Sequence, residues 1–322
     1  MNLKQQRDEF EQKKIILESV VLTFHGVEGY DVYNTSIPFC WEGNEYLFGR
    51  VERRSEWARS WVRLFENSGK DDWTLVPNSM IWQLEDPYIA QVNGQMILGG
   101  THVRFKTGVI DTYYGYFYRG TDLNDLYYFT TGPDYMKDIR LVQLADGQIG
   151  VFSRPRNEEI KKKFGAESQI GFAVIPDLDH LTADVIESAP YIPGLFAVGE
   201  WGGCNQAYLL DSGKIGVIGH KCLTQPGDGG VIIYVYLNIA FVLEPGVHEA
   251  LDVHIIGTRS CYPAGPAKKP GLVDCAFTSG IVMRDDGSVD LYSGIGDTQE
   301  GRIVVPYPFQ GHGAMVGSVR QM

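Results

Sequence analysis

Short hydrophobic runs recur along the chain in pairs, and the two runs of each pair are separated by a turn that ends in Gly. This Gly, often preceded by Asn, Asp or Ser, supplies the positive φ that a tight turn between twisted strands requires, so each pair predicts a β-hairpin. The hairpins lie about 50 to 75 residues apart, in residues 41–50, 91–100, 143–154, 210–220 and 283–294. This spacing predicts an all-β protein, a five-bladed β-propeller in which each sheet packs against its neighbours.

The hairpin geometry also predicts where chemistry can occur. The start of the first strand lies beside the end of the second, so residues about eight before and seven after each turn Gly share one rim of the propeller. The residues before the turns are Asn34, Ser36, Asp86, Lys137, Asp138, Asn205, Gln206 and Thr278, and those after them are Arg50, Thr101 with His102, Arg154, His220 and Gly294. Any solvated rim is polar, so polarity alone does not distinguish a site from a surface.

The basic residues near this rim are informative because the chain as a whole is acidic, with a formal net charge of −12. The cations expected on one face are Arg50, Arg104, Lys137, Arg154 and His220. Clustered cations are costly unless they meet an anion, and Arg matches phosphate or carboxylate oxygens in bidentate fashion. We therefore expect a pocket for a small anion. A nucleic-acid partner is not expected, because it would require a basic stripe and a basic overall balance.

The length and composition fit one large domain. The chain has 322 residues, 44% of them hydrophobic, which is enough to bury a large core, and no linker rich in Gly, Ser or Pro divides it. We expect a single propeller domain over residues 1–322, with residues 1–18 as an N-terminal arm or short helix. The charged arm is a candidate for contacts between the subunits of a homo-oligomer.

The cysteines and the N-terminus bear on location and cofactors. The five cysteines form no CxxC pair, and the N-terminal residues lack the apolar segment of a secretion signal. These features predict a reducing, cytoplasmic location without a membrane partner. The histidines show no spacing typical of a metal site, so we expect no metal.

Asp86 is the leading candidate for a catalytic group. It lies in the segment Leu84-Glu-Asp-Pro-Tyr88, where Pro87 restricts the backbone at the start of the inner strand of the second blade. A carboxylate held at the mouth of a channel near several cations can act as a general acid or bind a sugar hydroxyl. The alternative is that Asp-Pro is only a strand-entry turn. Strand alternation places Glu85 on the opposite side, where a structural role is expected.

Several short segments spread over almost the whole chain carry a family resemblance: residues 46–52, 85–87, 137–138, 153–155, 219–220, 274–280 and 292–297. In order and spacing they resemble those of glycoside hydrolase family 130, the inverting β-mannoside phosphorylases built as five-bladed propellers. The chain is more similar to an offshoot of that group, a bacterial and protozoan propeller family with linked β-1,2-mannoside phosphorylase and mannosyltransferase activities. Two residues depart from the pattern. Tyr88 stands where the family usually has Arg, and Ser153 stands where it has His.

The resemblance implies an enzyme that forms or uses α-mannose 1-phosphate, with inorganic phosphate as co-substrate and no other cofactor. Its partners would be a mannoside oligosaccharide and either phosphate or a sugar nucleotide. Asp86 would be the general acid, and phosphate would be held by Arg104, Lys137 and Arg154. Because phosphate is already an anionic nucleophile, this cationic cradle would replace the second carboxylate of an inverting hydrolase. The residues expected to contact the substrate are Asn34, Arg50, His102, Glu200, His220 and Asp297.

Two other functions stay open at this stage. Related five-bladed hydrolases use three carboxylates from separate blades, which Asp31, Asp86 and Glu200 could supply. A non-catalytic carbohydrate-binding propeller could use Trp57, Trp201 and the tyrosines near residues 113–116 as stacking platforms, although such aromatic residues more often pack between blades. Substitution of Asp86 by Asn separates catalysis from binding, because a lectin would lose affinity and an enzyme would lose turnover.

Overall fold

The computed structural model describes residues 2–317, which form five β-sheets. The chain begins with helix α1 (Leu3–Lys13) and strand β1 (Glu18–Val21). The five sheets are arranged as the blades of a β-propeller. The all-β, five-bladed fold predicted from the hairpins is therefore confirmed.

Each blade is built mainly from strands that are consecutive in sequence. Blade I contains β2 (Thr23–His25), β3 (Asp31–Tyr33), β4 (Phe39–Trp41), β5 (Asn44–Glu52), β6 (Trp61–Asn67) and β7 (Asp72–Leu75). Blade II contains β8 (Glu85–Val92), β9 (Gln95–Lys106), β10 (Val109–Gly120) and β11 (Tyr127–Thr131). Blade III contains β12 (Arg140–Gln143), β13 (Ile149–Ser153) and β14 (Gly171–Ile175), accompanied by α2 (Glu158–Phe164) and α3 (Ala183–Glu187).

Blades IV and V complete the ring. Blade IV contains β15 (Trp201–Leu209), β16 (Ile215–Pro226), β17 (Ile232–Leu243) and β18 (Ala250–Gly257). Blade V contains β19 (Ala276–Met283), β20 (Val289–Ile295) and β21 (Gln299–Val305). Single 3₁₀ turns occur at Leu178–His180, Asp228–Gly230, Arg259–Cys261 and Pro270–Leu272.

The N-terminal strand closes the propeller. β1 pairs antiparallel with β21 and so forms the outer strand of blade V, at the opposite end of the sequence. Arg302 on β21 reinforces this closure, because its guanidinium bonds Glu18 on β1, Asp71 beside blade I and Asp290 on β20. The first and last segments of the propeller are thus joined by both a strand ladder and a charge network.

The predicted N-terminal arm contains α1 and packs on its own chain. Asn2 and Gln5 form a capping box at the start of the helix. Arg7 pairs with Asp274 at 2.7 Å, and Glu11 accepts a hydrogen bond from the Thr258 hydroxyl. The helix is therefore held against the segments that flank blades IV and V.

The Gly of each of the five predicted hairpin turns has the expected positive φ, and in two of these turns the preceding residue is left-handed as well. Glu42 and Gly43 have φ values of 47° and 85°, and Asn93 and Gly94 have values of 50° and 72°. Two successive positive φ values are typical of a type I′ turn, whose twist matches that of the flanking strands.

Among the described residues, no helix combines the length and apolar character needed to cross a membrane.

Candidate active site

One cavity, of about 310 Å³, collects residues from all five blades. Most of the lining side chains come from the inner two strands of a blade or from the loops beside them, which explains why positions far apart in sequence meet here. The polar and charged lining residues are Asn34, Arg50, Glu85, Asp86, Lys137, Asp138, Arg154, Arg156, His220 and Asp297. A wall of Trp57, Tyr113, Tyr236 and Phe277 adds aromatic surface.

A backbone irregularity at the start of β8 brings two adjacent carboxylates into this cavity. The pairing of β8 with β9 shifts register between Glu85 and Tyr88, and Asp86 has a φ of +48°. This bulge breaks the strand alternation that predicted Glu85 on the opposite side. The expectation of a purely structural Glu85 is therefore corrected, because Glu85 lines the cavity together with Asp86.

Asp86 is held by three neighbours from other blades or strands. Its Oδ1 accepts hydrogen bonds from Asn34 Nδ2 at 2.8 Å and from Arg50 Nη1 at 2.9 Å, and its Oδ2 lies 3.8 Å from Lys137 Nζ. Burial alone would raise the pKa of Asp86, but the charges of Arg50 and Lys137 and the hydrogen bond from Asn34 outweigh it and lower the pKa. Asp86 is therefore ionised in the ligand-free protein.

Arg50 links the two carboxylates. Its Nη2 donates to Glu85 Oε1 at 2.9 Å, and its Nε donates to the Ser60 hydroxyl at 2.8 Å. The Tyr33 ring lies under the guanidinium, with the Arg50 Cζ 4.7 Å from the ring centroid. Burial raises the pKa of Glu85, partly offset by Arg50 and Lys137. In the ligand-free protein the Arg50 guanidinium is thus bonded to carboxylates, and its contact with a sugar hydroxyl stays a prediction.

A second charged group lies on the blade III side of the cavity. Arg154 Nη1 is 3.0 Å from Asp138 Oδ2, and Arg154 Nε donates to the Gly202 carbonyl at 2.9 Å. Burial lowers the pKa of Lys137, but the neighbouring carboxylates of Asp86 and Glu85 outweigh it, and the net pKa is raised. Lys137 therefore stays a cation, and with Arg154 and Arg156 it gives the cavity positive charge that an anion can use.

His220 lies beside Arg154 and Asp138, and its imidazole ring is neutral. Burial lowers its pKa to about 3. Its Nδ1 lies 2.6 Å from Asn205 Oδ1, so Nδ1 carries the hydrogen and Nε2 presents a lone pair. Asp297 also lines the cavity, and burial raises its pKa.

Three of the expected site residues lie outside the cavity: His102, Arg104 and Glu200. Val103 lines it, so alternation along β9 places His102 and Arg104 on the other face of the strand. The Arg104 side chain is 54% exposed and pairs with Asp111 across the hairpin at 2.7 Å. His102 stacks on Tyr116 with its Nδ1 3.1 Å from the Gln83 carbonyl. The structure does not bring either residue to the cavity, which corrects the sequence-based placement.

The Glu200 carboxylate is bonded to neighbouring residues outside the cavity. Its carboxylate lies 2.9 Å from Lys221 Nζ and accepts the Ala197 N–H at 2.8 Å. Asp31 pairs with Arg54 on blade I. Neither residue lines the cavity with Asp86, so the three carboxylates proposed for a hydrolase do not converge.

Comparison with known proteins bears on the family. The family described as "Protein of unknown function (DUF1861)" matches residues 8–311. The chain belongs to the DUF1861 family. No curated protein sequence matches it significantly.

Solved structures similar to this DUF1861 chain carry enzyme names. MPT-4, a mannose phosphorylase from Leishmania mexicana in complex with phosphate ion, is 52% identical with a TM-score of 0.93, and the match covers 99% of this chain and 97% of that one. MPT-1, a GDP-Man-dependent mannosyltransferase from the same organism, is 48% identical with a TM-score of 0.92, covering 99% and 98%. The predicted resemblance to a propeller family of mannoside phosphorylases and mannosyltransferases is confirmed.

A more distant similarity concerns the fold alone. A glycosyl hydrolase from Bacteroides ovatus is 14% identical with a TM-score of 0.60, and the match covers 89% of this chain and 87% of that one. This places the DUF1861 propeller beside glycosidase propellers in architecture.

The DUF1861 cavity also contains residues that the hairpin pattern did not predict. Arg156 follows Arg154 by two positions, and the Arg-Pro-Arg spacing was a usable signal for a second cation on the same side. Tyr236 and Phe277 contact the His220 ring from neighbouring strands, with centroid distances of 5.8 and 4.8 Å. No sequence pattern distinguished these two rings from core residues. Trp57 and Tyr113 do line the cavity, whereas Trp201 is buried outside it.

Proposed function

We propose that this protein is an inverting β-mannoside phosphorylase that transfers a mannosyl group between β-1,2-linked mannosides and inorganic phosphate. The observation that carries the proposal is the arrangement of one deep ionised carboxylate, Asp86, among cations of the same cavity. Its oxygens are within 3.8 Å of Arg50 and Lys137, and Arg154 and Arg156 line the wall. The similarity to a mannose phosphorylase in complex with phosphate supports the same conclusion.

The cations bind and orient phosphate. Lys137 and Arg154 are the proposed phosphate ligands, with Arg156 as an additional one that the structure contributes. They would hold the anion for in-line attack on the anomeric carbon, so that the phosphate oxygen bonds to carbon as the glycosidic bond breaks. The product of inversion at a β-mannoside is α-mannose 1-phosphate.

Asp86 is the general acid of phosphorolysis and the general base of the reverse reaction. In phosphorolysis a protonated Asp86 gives its hydrogen to the departing oxygen, directly or through a sugar hydroxyl, and the proton that hydrogen phosphate loses restores the acid. Binding of the anion beside Lys137 offsets the cation that lowers the pKa of Asp86, so the pKa rises when phosphate is present. The ionised form in the ligand-free protein suits the reverse direction, in which Asp86 removes a proton from an acceptor hydroxyl.

The remaining polar residues are proposed sugar ligands. Asn34, His220 and Asp297 lie on separate blades around Asp86 and can bond hydroxyl groups of one mannosyl unit. Asn34 also donates to Asp86, which couples sugar position to the acid.

A second candidate is mannosyl transfer from a nucleotide sugar. The specific observation that favours it is the 48% identity to a GDP-Man-dependent mannosyltransferase over nearly the whole chain. The same carboxylate would then act as the base toward the acceptor, and the cations would hold the diphosphate.

The test is incubation of the purified protein with β-1,2-mannobiose, with and without phosphate, while mannose 1-phosphate and mannose are followed separately. Phosphate-dependent mannose 1-phosphate that is lost in Asp86→Asn and retained in Asp31→Asn is expected. Mannose release without phosphate would replace the proposal with hydrolysis. Transfer from GDP-mannose to mannose without phosphorolysis would favour the second candidate.

A further inference from the structure

Asp138 is a buried carboxylate in the cavity wall whose bonding capacity is unused. Its exposed fraction is 2%, and among the described residues neither Oδ1 nor Oδ2 has a hydrogen-bond donor. Arg154 Nη1 is close, at 3.0 Å from Oδ2, and balances the charge, but its N–H groups are not aligned for a hydrogen bond. Buried polar atoms are normally bonded, so an unsatisfied carboxylate facing a cavity indicates a missing partner.

The neighbouring groups cannot supply that partner as they stand. Arg140 Nη2 is 3.8 Å from Oδ1, and His220 Nε2 is 4.0 Å from Oδ2. His220 carries its hydrogen on Nδ1, toward Asn205, so its Nε2 is an acceptor like the carboxylate. The charges of Arg154 and Lys137 outweigh burial and lower the pKa of Asp138, which is therefore an acceptor only. The Asp138 carboxylate and His220 Nε2 are thus two neighbouring acceptors, and the hydrogen that would bond them has to come from a ligand.

The backbone holds Asp138 in this position. Its φ is +58°, a left-handed conformation that costs energy for a residue other than Gly. Gly203 lies against it so closely that an added Cβ would be 3.4 Å from Asp138 Cβ and 3.3 Å from Arg154 Cδ. The carboxylate, the guanidinium and the strand behind them are thus packed as one unit.

We propose that Asp138 selects the ligand by accepting a hydrogen bond from one of its O–H groups, either the proton of hydrogen phosphate or a mannosyl hydroxyl. The inference rests on the proposed function, because it assumes that phosphate and mannose bind in this cavity. Lys137 and Arg154 attract any small anion. Asp138 repels an anion that has no hydrogen to give, since two unprotonated oxygens would then face each other. Sulfate, a tetrahedral dianion without a proton near neutral pH, is such an anion.

The experiment is calorimetric titration of the wild-type protein, Asp138→Asn and Asp285→Asn with inorganic phosphate, sulfate and mannose. Asn tolerates the left-handed backbone and keeps the shape of Asp, so the substitution removes the charge with little strain. Asp285 is an exposed aspartate outside the cavity and serves as the matched control. We expect Asp138→Asn to reduce the phosphate-to-sulfate affinity ratio by about tenfold, the size of one charged hydrogen bond.

The titrations distinguish the two sources of the hydrogen. A smaller phosphate-to-sulfate ratio assigns Asp138 to the phosphate proton, and a weaker mannose affinity at an unchanged ratio assigns it to a sugar hydroxyl. Unchanged values for all three ligands overturn the proposal. If the wild-type protein binds neither phosphate nor mannose, the proposed function fails and this proposal fails with it. Should Asp138→Asn not fold, Asp138→Gly fits the same backbone and also lacks the carboxylate.

Discussion

Arg50 Nη2 donates a hydrogen bond to Glu85 Oε1 over 2.9 Å. Because the same guanidinium also bonds Asp86 through Nη1, the two adjacent carboxylates share one cation. Groups that share a charge titrate together, so the protonation of one carboxylate depends on the other. The pKa of Asp86 therefore depends on Glu85 and Arg50 as well as on Lys137 and Asn34.

The first prediction concerns Glu85→Gln, which removes a negative charge beside Asp86 and ends the competition of Glu85 for Arg50, so that Arg50 is shared only by Asp86 and the more distant Glu52, at 3.5 Å. The pKa of Asp86 then falls, and the acid is protonated over a narrower range. We expect the alkaline limb of kcat for phosphorolysis, which reports Asp86 with phosphate bound, to move to lower pH by roughly one unit. The pH–rate profile measures the shift. A uniform loss of rate with an unshifted profile would show that Glu85 only supports the fold.

The second prediction concerns Trp57 at the mouth of the cavity. Trp57 is 44% exposed, whereas Asp86 is 4% exposed, so we expect Trp57 to contact the sugar beyond the cleaved bond. Lys269 Nζ lies 3.4 Å from the centre of its ring and holds the ring in place. We expect Trp57→Ala to raise KM for the mannoside about tenfold and to leave KM for phosphate unchanged.

Phe at position 57 is the matched control. Trp57→Phe keeps an aromatic face and should recover most of the mannoside affinity. Equal losses for the mannoside and for phosphate would instead mean that the substitution disturbs the whole cavity.

The third prediction concerns the stability of the fold as a function of pH. Glu300 is fully buried, and its oxygens contact the Thr35 N–H at 3.2 Å and the Ser279 hydroxyl at 2.8 Å. Burial raises its pKa to about 8, above its ordinary value of 4.5. Between these two values the folded protein retains a proton that the unfolded chain has lost. The free energy of unfolding therefore falls as pH rises through this window, by up to about 1.4 kcal/mol per pH unit.

Glu300→Gln imitates the protonated carboxyl, since its amide can donate to Ser279 while its oxygen accepts from Thr35. We expect this variant to lose the slope and to be more stable than the wild-type protein at pH 8.5, with little difference at pH 5. Urea unfolding at the two pH values provides the measurement. A wild-type stability that does not decrease between them would contradict the prediction.

The fourth prediction concerns closure of the propeller. Arg302 is nearly buried and bonds Glu18, Asp71 and Asp290, so its removal leaves three carboxylates without their shared cation. We expect Arg302→Met to reduce the free energy of unfolding by about 3–5 kcal/mol.

Lys70→Met provides the matched control for this network. Lys70 pairs with the same Glu18 carboxylate, but its side chain is 70% exposed. An exposed pair contributes at most about 1 kcal/mol. Similar losses in the two variants would show that burial of the Arg302 network is not what stabilises the closure.

Much of the site could be predicted from the sequence. Asp86, Lys137, Arg154 and His220 were selected because a hairpin repeat puts equivalent strand ends on one rim, and the structure brings all four to one cavity. Arg104 was grouped with them as a cation near the rim and as a phosphate ligand implied by the family resemblance. That grouping did not include the alternation of β9, which turns Val103 inward and Arg104 outward.

The sequence by itself determined the elements and their order, because turn glycines and hydrophobic periodicity are local signals that act over a few residues. It also determined which chemical groups the rim could contain. Only the tertiary structure decided which of them meet. The bulge at Asp86 turns Glu85 inward, and within residues 2–317 the carboxylate of Asp138 is left without a hydrogen-bond donor. Such outcomes depend on contacts between residues far apart in the chain, and no local pattern encodes them.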